Sequence, residues 1–176
     1  TSLLALGCGT GLDLHEIFRR FPDAAVTGID LTDSMLEELR RKHLSPNLTL
    51  ICGDYFSQDF GKDHFGAAVS FQSLHHFKPE AKIGLYQRVL NALKPGGVYL
   101  ECDYMAGTAE EEAFYFAENG RLRAEQEIPE AVFCHYDTPC TPEHQRQMLL
   151  DAGFVSCEIL WREGNTTLLR ATRAEV

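Results

Sequence analysis

The stretch LLALGCGTGLDLHEIFRRF, residues 3–21, decides the fold of this 176-residue chain. Its first four residues are apolar and stop at Gly7, which is typical of a short strand buried in a parallel sheet. The residues after the glycine-rich turn carry apolar side chains at the spacing of one helix face, namely Leu14, Ile17, Phe18 and Phe21. We therefore predict a strand, a tight turn and a helix, which together open a β-α-β unit.

The same alternation continues through the first hundred residues. Further strands are predicted at residues 25–29, 48–52, 67–71 and 98–102. A helix is predicted from Asp33, capped by Thr32 or by Asp33 itself, with Met35, Leu36 and Leu39 facing inward. Another is predicted over residues 79–93, and the segment KPGG at 94–97 ends it. This alternation favours an α/β fold, in which a parallel sheet has helices on both faces.

The residues after Tyr104 follow a different pattern. Residues 107–140 predict a helix opened by three glutamates and then a loop, laid over one edge of the sheet. Thr141 and Pro142 are a typical helix start, and that helix is predicted to run to Ala152. Residues 155–161 and 166–172 indicate a hairpin with a short turn between them. We predict one domain over residues 1–176, with 107–140 as an insertion.

Composition narrows the class of protein. Hydrophobic residues make up 44% and charged residues 24% of the chain, which is an ordinary globular mixture. No apolar run approaches the roughly 20 residues of a membrane span and no secretion signal opens the chain, so we expect a cytoplasmic protein without a membrane partner. The net charge of −10 argues against nucleic acid as the partner. Cys134, His135 and Cys140 fit no common zinc spacing, so no metal is predicted.

The carboxyl ends of the predicted strands are where a parallel sheet binds ligands. The first strand ends in GCGTG at residues 7–11, and Leu12 stands where a dinucleotide fingerprint would have its third glycine. This departure argues against a dehydrogenase that uses a nicotinamide cofactor. Glycines allow a ligand to approach the backbone, and the helix that follows presents free N–H groups to an anionic group such as a carboxylate.

Two acidic residues follow the next strands. Asp30 ends the second strand, where a carboxylate can accept hydrogen bonds from both ribose hydroxyls of a nucleoside. Asp54 follows the third strand and can accept a hydrogen bond from an adenine amino group. Both residues also have a purely structural interpretation, Asp30 as the cap of the next helix and Asp54 as a turn residue.

At this point the chain resembles the class I S-adenosylmethionine-dependent methyltransferases. The matching segments stand in family order and span nearly the whole chain: LALGCGTG (4–11), GID (28–30), GD (53–54), SLHHF (73–77), LKPGG (93–97) and DAGF (151–154). The resemblance implies a Rossmann-like seven-stranded sheet of order 3-2-1-4-5-7-6. Its strand 7 is antiparallel, which agrees with the predicted terminal hairpin.

The resemblance also implies a site. S-adenosylmethionine would be the cofactor, with its methionine part in the loop of Gly7, Cys8, Gly9, Thr10 and Gly11 and beside Phe71 and Gln72. Asp30 would bind the ribose, and the adenine would lie between Leu31 on one side and Asp54 and Tyr55 on the other. The acceptor would enter above His75, His76 and Tyr104. Either histidine could serve as a general base for a protonated acceptor, although packing or capping is an alternative role.

The chain departs from the family at two places. Ala5 stands two residues before the first glycine, where the family usually has an acid that supports the cofactor's amino-acid end. One lost charged hydrogen bond costs about 1.5–3 kcal/mol, so we expect cofactor affinity to fall about ten- to a hundredfold. We also expect the chain to be N-terminally truncated relative to the family, which usually carries one or two helices before the first strand.

The motif after the fourth strand narrows the class of methyl acceptor. Nucleic-acid amino-methylating relatives usually carry Asn/Asp-Pro-Pro-aromatic after strand four, and this chain has FQSL at residues 71–74. We therefore expect in-line methyl transfer to a small-molecule acceptor. The sequence leaves the oligomeric state open, with a homodimer as one option. Two alternatives stay open. One is a module that binds S-adenosylmethionine or a nucleoside without transfer, and the other is an enzyme that modifies the sulfonium cofactor or a transfer-RNA wobble base.

Overall fold

The protein is described by a computed structural model that covers residues 1–43, 47–129 and 132–176. Along the chain the elements are β1 (Ser2–Leu6), α1 (Leu12–Arg20), β2 (Ala25–Asp30), α2 (Asp33–Lys42), β3 (Leu48–Cys52), β4 (Phe65–Phe71), α3 (Pro79–Ala92), β5 (Leu93–Tyr104), α4 (Ala109–Glu125), α5 (Pro142–Asp151), β6 (Ser156–Glu163) and β7 (Thr166–Thr172). Within these three ranges no helix is both long and apolar enough to cross a membrane.

The seven strands form one sheet of order β3-β2-β1-β4-β5-β7-β6. Strands β1 to β5 pair in parallel, and β7 is antiparallel to both of its neighbours. The predicted order and the antiparallel seventh strand are confirmed. The order reverses between β1 and β4, and the crevice at such a reversal is where sheets of this kind bind ligands.

Each face of the sheet has its own buried core, because successive side chains of β1 point to opposite sides. Leu3 and Ala5 lie in a cluster whose other buried members come mainly from α1 and α2: Leu14, Leu36 and Leu39. Leu4 and Leu6 lie in a second cluster with α3 and α5, which contribute Leu85, Tyr86, Val89, Met148 and Leu149. Fully burying one such leucine stabilises the fold by about 1.5–3 kcal/mol. The prediction of helices on both faces is confirmed.

Two predicted core positions are wrong. Phe21 is 61% exposed because α1 ends at Arg20 and the chain leaves the helix at Phe21, where φ is −131°. Met35 is 44% exposed, whereas Leu36 and Leu39 are fully buried. Met35 stands four residues before Leu39, so helical spacing fits it to the same face, and the packing of α2 leaves it exposed at the edge of that face.

The start of β5 also differs from the prediction. The strand begins at Leu93 rather than at Val98, because Leu93 already pairs with Phe65 of β4. The register then shifts before Ala67 pairs with Val98. The KPGG segment is therefore an irregular part of the strand rather than a separate turn, and Gly96 takes a φ of +70° there.

Residues 107–140 form α4 and a loop, of which Glu130 and Ala131 lie outside the described residues. The Thr108 hydroxyl caps α4 by accepting a hydrogen bond from the Glu111 N–H at 3.1 Å. Hydrogen bonds such as the following two join the segment to the rest of the fold. The Thr138 N–H donates to the His75 carbonyl at 2.7 Å, and the Glu112 carboxylate accepts from the Thr141 N–H at 2.6 Å.

Candidate functional site

The loop after β1 bends sharply over the carboxyl end of the sheet. Gly7, Gly9 and Gly11 have φ values of +62°, +48° and +72°, in the left-handed region that favours glycine. A Cβ on Gly7 would collide with the Ser73 hydroxyl, and one on Gly11 would collide with Leu39. The glycines therefore let the loop lie directly against the end of β4 and against α2, and leave its backbone open to a ligand.

Asp30 joins this loop to the end of β2. Its Oδ2 accepts the Gly9 N–H at 2.9 Å, and its Oδ1 accepts the Thr32 N–H at 2.9 Å, immediately before α2. The Thr32 side chain makes no capping bond to α2. Asp30 thus bonds to the backbone of the glycine loop and to that of the residue that precedes α2. Each carboxylate oxygen has two lone pairs, so both keep capacity for a ligand hydroxyl.

The three residues predicted to surround the adenine differ in how deeply they are buried. Leu31 is 57% exposed at the edge of the crevice. Asp54 is exposed, and its Oδ1 accepts the Phe56 N–H at 2.8 Å, as a turn residue does. Tyr55 is buried beneath the glycine loop, where its hydroxyl donates to the Ser73 carbonyl at 3.1 Å and burial raises its pKa. The structure places Tyr55 against the loop as a support.

The chain turns abruptly at the end of β4. Phe71 is exposed, and Gln72 has a φ of +49°, which is rare for a residue with a side chain. The Gln72 N–H still donates to the Cys102 carbonyl of β5 at 2.9 Å, so the pairing of the two strands continues through the turn. Left-handed backbone at such a position costs of order 1–3 kcal/mol and tends to occur at functional sites.

Asp103, near the end of β5, organises the turn that follows β4. Its side chain is 2% exposed, and its Oδ2 accepts the N–H groups of Ser73 and Leu74 at 3.2 and 2.7 Å. Its Oδ1 accepts the Tyr104 N–H at 2.8 Å and lies 2.6 Å from His75 Nδ1. Sequence reasoning pointed to this strand end but gave Asp103 no role. The available signal was its position directly after the predicted strand 98–102, the same position that Asp30 has after the predicted strand 25–29.

The two histidines lie side by side in this turn. Their ring centroids are 3.9 Å apart. Because the Asp103 carboxylate only accepts hydrogen bonds, His75 donates from Nδ1, and in the neutral ring Nε2 has the lone pair. His76 Nδ1 is buried and lies 2.9 Å from Asp137 Oδ1 without forming a hydrogen bond. Burial lowers the pKa of His76, and the neighbouring His75 adds to this effect. Sequence reasoning missed Asp137.

Tyr104 is held by two neighbouring elements. Its hydroxyl lies 2.9 Å from the hydroxyl of Tyr115 on α4 and accepts the Asn165 side-chain N–H at 3.1 Å. The hydrogen bond to Tyr104 is the main cause that raises the pKa of Tyr115 to about 12. Tyr104 thus attaches α4 to the hairpin turn, with its ring 6.2 Å from that of His75.

A cavity of about 360 Å³ opens beside His76, between the start of α3 and the segment 107–140. It is lined by His76, Phe77, Lys78, Glu80, Ala81, Asn119, Arg123, Val132 and Phe133. Phe77 and Phe133 stack at 5.1 Å and form an aromatic wall. The size and the mixture of apolar and polar lining suit a small organic molecule.

Comparison with known proteins agrees with this arrangement. A family model described as "Methyltransferase domain" matches residues 3–97, which is more than half of the chain. The chain is 33% identical over 101 residues to a sterol 24-C-methyltransferase of Aspergillus fumigatus, a match that covers 55% of this chain and 26% of that protein. It is 30% identical over 112 residues to a malonyl-[acyl-carrier protein] O-methyltransferase of Priestia megaterium, a match that covers 62% of this chain and 39% of that protein.

The chain thus spans well under half the length of these two relatives. Among solved structures, an S-adenosylmethionine-dependent methyltransferase from Mesorhizobium loti superposes with a TM-score of 0.68 at 20% identity. That match covers 98% of this chain and 90% of the other. The fold is therefore shared over nearly the whole of both chains.

Proposed function

The chain belongs to the class I S-adenosylmethionine-dependent methyltransferase family, and from that premise we propose that it transfers a methyl group from S-adenosylmethionine to a small-molecule acceptor. One observation carries the proposal. The left-handed glycine loop, fastened to Asp30, and the Asp103–His75 pair lie at the carboxyl ends of adjacent strands, on either side of the point where strand order reverses. A donor and an acceptor can be held next to each other there.

The residues present fit the cofactor. Gly7 and Gly11 let the loop pack directly against Ser73 and Leu39, and a Cβ on Gly9 would meet only the Met35 sulfur at 3.9 Å, so the backbone at Gly9 is open to the methionine part. The remaining lone pairs of Asp30 can accept the ribose hydroxyls. The exposed Leu31 offers an apolar surface to the adenine. Asp54 keeps one carboxylate oxygen beyond the one that Phe56 uses, and this oxygen is free to accept from an adenine amino group.

Ala5 marks where the binding differs from that of the family. Its side chain is buried in the apolar cluster with Leu14 and Leu36, so this position offers the cofactor no carboxylate. We expect the amino-acid end of the cofactor to be held by backbone N–H groups of the loop and the start of α1, with lower affinity than in relatives that carry the acid.

The chemistry demands alignment more than acid–base catalysis. S-adenosylmethionine, when bound, supplies a methyl group on a sulfonium sulfur. The acceptor attacks this methyl group in line with the bond to the sulfur, which is the leaving group. The turn at residues 71–76 and the segment 107–140 would exclude water and orient the acceptor. If the acceptor arrives protonated, His75 Nε2 is the group to take the proton, because Asp103 fixes the ring with its lone pair outward. Burial favours the neutral form of His76 as well.

The cavity beside His76 supports a small acceptor. Its aromatic wall of Phe77 and Phe133 would hold an apolar or planar part. Asn119 and Arg123 are bonded to each other and to loop carbonyls, and so fix the opposite side of the cavity. The acidic net charge of the chain argues against a nucleic-acid acceptor.

Calorimetric titration with S-adenosylhomocysteine tests the proposal, with NAD as the control ligand. We expect micromolar binding of S-adenosylhomocysteine, about −8 kcal/mol, and none of NAD. A screen of hydroxyl, amine and carboxylate acceptors with radiolabelled methyl donor follows. Absence of S-adenosylhomocysteine binding contradicts the cofactor assignment. Binding with no transfer to any acceptor favours the non-catalytic module instead.

A further inference from the structure

Three metal-binding side chains converge beside the acceptor cavity. His75, His76 and Asp137 each offer one donor atom, and the three atoms lie within 4.8 Å of one another. The Asp137 Oδ1 atom is 2.9 Å from His76 Nδ1 and 4.0 Å from His75 Nε2. Zinc–ligand distances of about 2.0–2.1 Å place two tetrahedral ligands ~3.3 Å apart, and the observed separations bracket this value.

The surrounding structure holds His75 in the orientation of a metal ligand. Asp103 accepts the Nδ1 proton at 2.6 Å, which directs the unprotonated Nε2 towards Asp137. Ligating histidines in metalloproteins usually have such a carboxylate on the other ring nitrogen. The backbone is also fixed, because Thr138, next to Asp137, donates its N–H to the His75 carbonyl at 2.7 Å.

His76 supplies an independent observation. Its Nδ1 is buried and has no hydrogen-bond partner, although a carboxylate oxygen lies 2.9 Å away. A buried polar atom without a partner costs about 1–3 kcal/mol, so native structures rarely leave one. A cation between the nitrogen and the oxygen would bond to both of them.

We propose that His75 Nε2, His76 Nδ1 and Asp137 Oδ1 bind one divalent first-row transition cation of the zinc type. Two imidazoles and one carboxylate suit zinc rather than magnesium or calcium, which prefer an all-oxygen set. Three protein ligands leave a position open for water or for an acceptor oxygen, as in catalytic zinc sites. The cation would lower the pKa of that oxygen so that its proton is released to water, and His75 Nε2 would then be a metal ligand instead of the base.

A second cluster of similar composition makes a useful contrast. Glu112, Cys140 and His144 also lie within 4.8 Å of one another. There the Glu112 carboxylate is already used, since it accepts the Thr141 N–H and bonds to His144 Nδ1, both at 2.6 Å. This cluster fastens α4 to α5 with its polar atoms partnered, and His144 is therefore the matched control.

The test titrates the chelator-stripped full chain with Zn²⁺ by calorimetry and with Co²⁺ by visible absorption, in the absence of any methyl donor. We expect one ion per chain, with a Co²⁺ band typical of low coordination number. Asp137→Asn and His75→Ala should each weaken binding at least tenfold, and His144→Ala should bind as the wild type does. Asp103→Asn, which acts through His75, should weaken binding about ten- to a hundredfold.

Absence of stoichiometric binding by the wild type overturns the proposal. The proposal is also overturned if His144→Ala loses metal binding while Asp137→Asn keeps it, because the ion would then occupy the other cluster. Circular dichroism checks the fold of each variant. Asp137 is 37% exposed, so Asp137→Asn keeps the test decisive if His75→Ala does not fold. Metal binding and S-adenosylhomocysteine binding are measured separately, so failure of one leaves the other standing.

Discussion

Asp103 Oδ1 lies 2.6 Å from His75 Nδ1, while the same carboxylate accepts three backbone N–H groups from the strand end and the turn that it faces. One buried acid therefore sets both the path of the turn and the orientation of the imidazole. A side chain that only supported the turn would not need to reach the ring. The double role makes the Asp103–His75 pair the part of the site whose chemistry is easiest to isolate by mutation.

Asp103→Asn should separate orientation from folding. The amide oxygen can still accept the N–H groups of Ser73 and Leu74, but the amide nitrogen in place of Oδ1 cannot accept from Tyr104 or from His75. With an acceptor found in the screen, we expect kcat to fall about a hundredfold or more, the usual contribution of a general base. S-adenosylhomocysteine affinity and the KM of the acceptor should not change. Steady-state kinetics and calorimetry measure this, with the exposed Asp59→Asn as control. Equal losses in kcat and in cofactor affinity would indicate a structural role alone.

Asp30 variants should weaken cofactor binding and stability together. Asp30→Ala removes the acceptor for the N–H groups of Gly9 and Thr32, so we expect the free energy of unfolding to fall by about 1–3 kcal/mol. S-adenosylhomocysteine binding should weaken at least tenfold. Asp30→Asn keeps one acceptor oxygen. We therefore expect its loss in free energy of unfolding to be smaller than its loss in free energy of S-adenosylhomocysteine binding. Asp23→Ala, in the exposed turn between α1 and β2, is the control. An unchanged affinity in both Asp30 variants would remove Asp30 from the cofactor site.

Gln72 offers a test of strain at the strand end. Its φ of +49° costs a residue with a side chain about 1–2 kcal/mol, and glycine avoids that cost. Gln126, at the end of α4, has an ordinary φ of −98°. Gln72→Gly should therefore be more stable than Gln126→Gly by about 1–2 kcal/mol, because the gain in unfolded-chain entropy is the same in both. Urea unfolding measures the difference. Equal stabilities would mean that the turn relaxes and stores no strain.

The strand order could be predicted because each buried strand leaves a local signature. Apolar runs such as residues 3–6 end in glycine or aspartate, and the alternation with helical spacing allows few topologies. The glycine loop and Asp30 were found in the same way, since both directly follow such runs. Met35 was misplaced because two residues of one helix turn both fit an apolar face, and only packing decides which is buried.

The Asp137–His76 contact could not be predicted in this way. Asp137 lies in a loop without periodicity, 61 residues after His76, and nothing in its neighbourhood resembles a strand end or a helix cap. It reaches the histidines only because Thr138 bonds to the His75 backbone and Asn119 holds the Tyr136 carbonyl at 3.0 Å. Contacts of this kind follow from tertiary packing, which hydrophobic spacing does not encode.

Glu101 lies two residues before Asp103 on β5 and makes the stability of the protein depend on pH. It is fully buried beneath α3 and α5, where its Oε2 accepts the hydroxyls of Tyr86 and Tyr99 at 2.9 and 3.0 Å. Gln145 donates to its Oε1 at 2.5 Å. Burial raises the pKa of Glu101 from 4.5 to about 7, and the nearby charge of Asp103 adds to the effect.

The folded protein therefore keeps this proton at pH values where the unfolded chain has lost it. The stabilisation that the protonated Glu101 gives to the folded state is complete below pH 4.5, and it is lost as the pH rises through about 7. Each pKa unit corresponds to about 1.4 kcal/mol, so the contribution is of order 3 kcal/mol. Glu101→Gln keeps an uncharged acceptor, and its free energy of unfolding should fall less than that of the wild type across this window. Urea unfolding at several pH values measures this, with exposed Glu163→Gln as control. Parallel curves for Glu101→Gln and the wild type would contradict the raised pKa.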